Sequence, residues 1–266
     1  MNEKIKALLK KEHYDFYDLC TVMEILRAPG GCPWDREQTH ESIRQNFIDE
    51  TYEAIEGIDT QDKELLCEEL GDVMMQVVFH AQIDKEEGGF DIDDVTDGVV
   101  KKLIYRHPHV FADTVAETSD AVLVNWEKLK AKEKHRDTVT STLESVPKPL
   151  PALMRAEKVG KKAAKVGFDF ECAEDAAKKI TEETEEFLNA PDDMREEELG
   201  DLLFAVVNTA RKYGISAELA LTRATDKFIS RFAEVEKGVL ADGKQMEELS
   251  LEELDKYWDR AKLQEK

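Results

Sequence analysis

Long apolar runs are missing from this chain: nothing in it approaches the ~20 consecutive apolar residues that a membrane span requires. Cysteine is scarce as well. The four present (Cys20, Cys32, Cys67 and Cys172) show neither CxxC spacing nor the density of a disulfide scaffold, so they read as ordinary thiols in a reducing compartment. The first eleven residues, Met1 to Lys11, are charged and lack the apolar core of a signal peptide. Basic charge is short too, with 37 Lys and Arg against 59 Asp and Glu and a net charge of −22. A phosphate backbone needs a basic footprint, so general nucleic-acid binding is excluded, whereas a small phosphorylated ligand bridged by metal is not. No segment alternates for long with a strand's period of two. The expectation is a cytoplasmic, all-α protein with neither a membrane nor a nucleic acid as partner.

What the chain does have is helical periodicity. Tyr14 to Leu26 places Phe16, Leu19, Val22, Met23 and Leu26 on one face. Ala28 to Asp35 then interrupts it with two prolines and two glycines, and a tryptophan in such a loop (Trp34) either plugs a core edge, the preferred reading, or stacks on a ligand. Further helices are expected from Thr39 or His40 to about residue 58, over 63–83, 92–105 and 113–133, then over 153–165, 173–188, 196–213, 217–240 and 251–263. Residues 134–151 lose periodicity and collect Pro147, Pro149 and Pro151, so they read as a linker between domains at 1–133 and 152–266.

Two stretches repeat. Glu182-Glu183-Thr184-Glu185-Glu186 precedes Glu198-Leu199-Gly200-Asp201, and Asp49-Glu50-Thr51-Tyr52-Glu53 precedes Glu69-Leu70-Gly71-Asp72. Helical spacing puts Glu183 with Glu186, and Glu198 with Asp201, on single faces. A short antiparallel hairpin would bring the four carboxylates together, where they repel unless protonated or bridged by a cation. In so acidic a chain one E-x-x-E is readily a solvated face, but solvated faces have no reason to repeat Glu-Leu-Gly-Asp ahead of a buried helix. Oxygen ligands of this kind suit a hard divalent ion, Mg2+ foremost with Mn2+ as the alternative. Gly71 and Gly200 each sit inside an expected helix, where glycine costs about 1 kcal/mol against alanine. That repeated cost points to close helix crossing or to room for a ligand.

A divalent ion on a few carboxylates neutralises polyphosphate, orients a water and lowers its pKa. Glu182 or Glu183 would accept the proton. Arg223, Lys227 and Arg231 recur every four residues as a basic stripe, and Lys179 stands one turn before Glu183, as cations for outer phosphates. The stripe's other reading is surface pairing with Glu218, Asp226 and Glu234. The first copy has Gly98, Lys102, Arg106 and Asn46 at those places, so the C-terminal copy is expected to be the active one.

The two E-x-x-E … E-x-x-D arrangements, with Cys32-Pro33-Trp34-Asp35, Arg106-His107-Pro108-His109-Val110-Phe111 and Val166-Gly167-Phe168-Asp169, closely resemble the tandem-domain MazG family over nearly the whole chain. The resemblance implies two repeated all-α domains, a dimer, and Mg2+-dependent hydrolysis of ribo- and deoxyribonucleoside triphosphates between the α and β phosphates, giving monophosphate and pyrophosphate. It also implies metal ligation by Glu183, Glu186, Glu198 and Asp201, with Glu50, Glu53, Glu69 and Asp72 as N-terminal counterparts. Lys179, Arg223, Lys227 and Trp258 become nucleotide contacts. Asp49 stands where the motif usually opens with Glu, and the Glu186-to-Glu198 gap is short for the family, so a tight turn is expected there. Two rivals remain. An acidic interaction module docking a basic partner would be indifferent to Mg2+. A ferritin-like di-iron protein would need a second E-x-x-H beside Glu37 and His40.

Overall fold

The computed structural model describes residues 3–112 and 138–264, together with Thr118, Val122, Asn125, Trp126 and Leu129 between them. All regular structure among these is helical. The chain divides into two compact units, residues 1–130 and 131–266. The expected helix over 113–133 lies largely outside the described residues.

In the first unit the helices are α1 (Glu3–Leu8), α2 (Phe16–Arg27), α3 (Pro33–Glu37), α4 (Arg44–Asp59), α5 (Lys63–Glu86), α6 (Ile92–Arg106) and α7 (Pro108–Phe111). Their starts follow the local chemistry of capping. Asp15 accepts from the N–H groups of Tyr17 and Asp18 ahead of α2, Asp62 does so ahead of α5, and Asp91 with Asp94 forms a reciprocal box at α6. A three-residue turn, 60–62, folds α4 and α5 into a hairpin. Their close approach is set by Gly57, where a Cβ would stand 2.8 Å from the Leu66 nitrogen. The core gathers Met23, Ile43, Val78, Phe79 and Ile83, with Phe16 and Leu19 packed on it.

Buried Arg27 ties the Pro/Gly loop to this core. Its guanidinium bridges Glu86 at 2.9 Å, donates to the carbonyls of Asp35 and Gln38, and lies over the Phe79 ring. The loop is therefore held by an arginine rather than by its tryptophan. Trp34 is 58% exposed, which corrects its preferred reading as a core plug. In α3 it follows Pro33 on the outer side of a helix of only five residues.

The second unit contains α8 (Val139–Glu144), α9 (Ala152–Ala164), α10 (Ala173–Asn189), α11 (Arg195–Lys212), α12 (Ala217–Ala241) and α13 (Leu251–Gln264). Within the stretch 134–151, the described part holds α8, which packs on α9, and a buried Val146. The helices α10 and α11 form the hairpin equivalent to α4 and α5, and α9 packs across α11. Val235, Val239, Tyr257 and Ala261 make a second core where α12 meets α13, and the Tyr257 hydroxyl donates to Asp242 at 2.8 Å.

The short gap from Glu186 to Glu198 is not taken up by a tight turn. The connection 190–194 is longer than its N-terminal counterpart, and the helical stretches between the carboxylates and the turn are shorter instead. Glu186 lies three residues from the end of α10 and Glu198 three from the start of α11, whereas six residues separate Glu53 and Glu69 from the corresponding ends of α4 and α5.

Candidate metal centres

Each hairpin brings carboxylates together. In the first, oxygens of Glu50, Glu69 and Asp72 lie within 4.8 Å of one another; in the second, oxygens of Glu183, Glu186 and Glu198 do. Glu53 stands close enough to Glu69 for its charge to act on it, while Asp201, one turn beyond Glu198, is exposed and lies outside the close group. Glu69 is only 7% exposed and Glu183 only 6%, and each leaves one buried oxygen, Oε2, without a hydrogen-bond partner. Unpaired buried carboxylate oxygens are costly in a folded chain, so groups arranged this way fit a hard cation.

Electrostatics agree with that geometry. Burial, then repulsion from Asp72 and Glu53, pushes the Glu50 carboxyl above its ordinary range, and a hydrogen bond from the Gln76 amide pulls the other way. Burial followed by the Glu53 charge raises Glu69, and burial followed by Glu183 raises Glu186. Only the second centre has a cation in place. Lys179 bonds Glu182 at 2.7 Å and Glu183 at 2.8 Å, and those hydrogen bonds raise its own pKa. Among the described residues, no ion pair reaches Glu50, Glu53, Glu69 or Asp72.

Gly71 and Gly200 are exposed on the carboxylate-bearing helices, and a Cβ at either would meet nothing within 4 Å. Among the described residues nothing crosses closely at either glycine; Gly57, which the sequence reading passed over, has that role.

The remaining candidates are spread along the second unit. Arg223 and Lys227 are exposed on α12, and no ion pair among the described residues links them to the carboxylates. Arg231 and Trp258 do meet, with the guanidinium 5.8 Å from the indole centroid, and Phe228 packs on the other part of that ring at 5.0 Å. A cavity of about 450 Å³ opens beside α11, lined by Val159, Phe168, Phe170, Phe204 and Asn208. Its floor is fixed by Asp169, which Arg211 and then Lys212 hold ionised well below the usual carboxylate range. No motif had signalled this cavity, although Val166-Gly167-Phe168-Asp169 forms one of its walls. Phe204 and Asn208 follow Asp201 by one and two turns, which puts the cavity and the carboxylates on one helix.

Comparison with known proteins gives a consistent result. The MazG nucleotide pyrophosphohydrolase domain matches twice, at residues 38–111 and 172–235, the two stretches that carry the hairpins. The chain is 46% identical over 254 residues to the nucleoside triphosphate pyrophosphohydrolase of Escherichia coli, covering 93% of this chain and 97% of that protein. It is 45% identical over 248 residues to the nucleoside triphosphate pyrophosphohydrolase/pyrophosphatase MazG of Thermotoga maritima, covering 93% and 95%. An uncharacterised Bacillus subtilis protein, YabN, is 46% identical over 255 residues, which make up 94% of this chain but 52% of that one. With its all-α hairpins and paired carboxylate centres, this chain belongs to the MazG nucleotide pyrophosphohydrolase family of hydrolases.

Proposed function

We propose that the protein hydrolyses nucleoside triphosphates, ribo and deoxyribo, between the α and β phosphates in a Mg2+-dependent reaction, releasing monophosphate and pyrophosphate at its C-terminal centre. The observation that carries this reading is the gathering of Glu183, Glu186 and Glu198, with one buried, unpartnered oxygen on Glu183, beside a lysine already at their edge. Glu183, Glu186, Glu198 and Asp201 would hold the ion, which would supply charge neutralisation of the phosphates and acidification of the attacking water. Lys179 can turn from Glu182 and Glu183 toward a phosphate, which frees Glu182 or Glu183 to accept the proton. The cavity between Phe168, Phe170 and Phe204 has the size and apolar character to receive a nucleoside. Arg223, Lys227, Arg231 and Trp258 are the further nucleotide contacts in this reading. The N-terminal set Glu50, Glu53, Glu69 and Asp72 binds metal without the same phosphate contacts.

A homodimer belongs to the proposal. Leu221, Phe228, Ile229 and Phe232 fall on one exposed face of α12, and Val99, Val100, Leu103 and Ile104 are exposed on α6. Rows of this kind, within each unit, support association with a second copy. The acidic docking module is less well supported, because a docking face presents its carboxylates, whereas Glu69 and Glu183 are buried.

The test is turnover of a panel of nucleoside triphosphates with Mg2+, resolving monophosphate plus pyrophosphate from diphosphate plus phosphate, for wild type, Glu198→Gln and Glu69→Gln. Monophosphate and pyrophosphate, lost only in Glu198→Gln, is the expected result. Loss in Glu69→Gln instead would reverse the assignment of centres. No Mg2+-dependent turnover by folded wild type would end the proposal.

A further inference from the structure

The two centres differ at one buried position. Glu69, Asp72 and Gln76 occupy places i, i+3 and i+7 on α5, one continuous face. The same register on α11 runs Glu198, Asp201, Ala205. Gln76 is 4% exposed, it lies near enough to Glu50 to bear on its carboxyl, and its carbonyl oxygen, Oε1, is buried with no partner. Burying an amide oxygen without a partner is costly, and a ligand at that atom would remove the cost.

The side chain springs from the same face of α5 as Glu69, whose own Oε2 is also unpartnered. Amide carbonyls are ordinary ligands of hard divalent cations, and a neutral oxygen adds coordination without adding repulsion. The second centre shares the unpartnered carboxylate oxygen, on Glu183, but lacks the neutral amide oxygen. Ala205 offers no oxygen, and Lys179 already occupies Glu183 and Glu182, so part of the charge that would attract a cation is neutralised.

We propose that the N-terminal centre binds a hard divalent cation without nucleotide, with Gln76 Oε1 as a neutral ligand beside Glu50, Glu69 and Asp72, whereas the C-terminal centre takes its cation only together with phosphates. This rests on the metal reading above but not on hydrolysis. The N-terminal unit is then a permanently loaded metal-binding half, and the C-terminal unit a half loaded in each turnover.

The experiment is a nucleotide-free titration of the full chain with Mn2+, followed by electron paramagnetic resonance and calorimetry, with Mg2+ and Ca2+ as competitors. Wild type should show one tight site per chain, kept in Glu198→Gln and lost in Glu69→Gln. Loss of a well-placed supporting group costs roughly 10–100-fold in metal affinity, and Gln76→Met, similar in size but without the oxygen, should weaken the site by that factor. Should Gln76→Met not fold, Ala205→Gln carries the test: a second nucleotide-free site supports the proposal, and its absence overturns it. Unchanged Mn2+ affinity in folded Gln76→Met, no saturable site in wild type, or a site that follows Glu198 rather than Glu69 would each overturn it. Because no nucleotide is present, a failure here is separable from failure to release pyrophosphate.

Discussion

Replacing Gly200 with alanine should separate stability from activity. The residue lies inside α11, exposed, with nothing within 4 Å of the position a Cβ would take. Alanine therefore meets no clash among the described residues and gains helix propensity of about 1 kcal/mol. For a unit of this size that corresponds to a rise of roughly 3–5 °C in melting temperature, measurable by calorimetry as a shift of the transition that includes α11. The same methyl group would project from the flank of α11 next to Asp201, turned away from Glu198, so it tests whether the bound ligand extends over that flank. Pyrophosphate release under saturating Mg2+ should fall at least about tenfold, in line with the sensitivity of positioned reactions to small displacements. Gly71→Ala should give the same stabilisation with little effect on turnover. If Gly200→Ala is more stable and fully active, the glycine does not keep room for ligand. If it is less stable, a close contact outside the described residues occupies that space.

Gly57→Ala should do the opposite, because its Cβ would press on the backbone of Leu66; overpacking of this kind costs about 1–3 kcal/mol, read as a lowered denaturant midpoint. Val239, fully buried under α13, should cost about 2 kcal/mol when cut to alanine, with loss confined to the transition of the second unit. A third expectation concerns pH. The folded-state pKa values of Glu50, Glu69 and Glu186 are raised, so metal-free stability from these groups is fully present below the ordinary glutamate value of 4.5 and is lost as pH rises through the raised values. Added Mg2+ should restore that stability, so its effect on the melting temperature should be large at pH 8 and small at pH 5; an equal effect at both would contradict the carboxylate assignment. Lys179→Met should lower turnover while leaving Mn2+ binding at the N-terminal centre intact, as measured by the nucleotide-free titration.

Much of this architecture is legible in the chain because helices advertise themselves by period and by punctuation. The expected helix start at 63 and end at 213 are reproduced to within a residue or two, and the Glu-Leu-Gly-Asp repeat identifies the two hairpins. Short elements escaped: α1, α3, α7 and α8 span four to six residues each, too few for a period to emerge. Arg27 and Gln76 escaped for another reason. A buried polar residue looks like a surface one until its partners are known, and Glu86 lies 59 positions from Arg27. The tryptophan reading failed through the same blindness, since the loop's anchor is a charge pair. Gly57 was hidden because a glycine inside a helix does not reveal what crosses it.

The uneven lengths of the two hairpins bear on motion. Helix ends fray, and a residue's local opening free energy rises with distance from the end. Glu186 and Glu198, each one turn from a terminus, ride on the part of α10 and α11 that breathes most readily. Glu53 and Glu69 sit nearly two turns in, within the more protected stretch of α4 and α5. Amide hydrogen exchange should accordingly be faster at Glu186 than at Glu53, each read on the first helix of its hairpin. One hairpin is constructed to let go of what it holds, and the other to keep it.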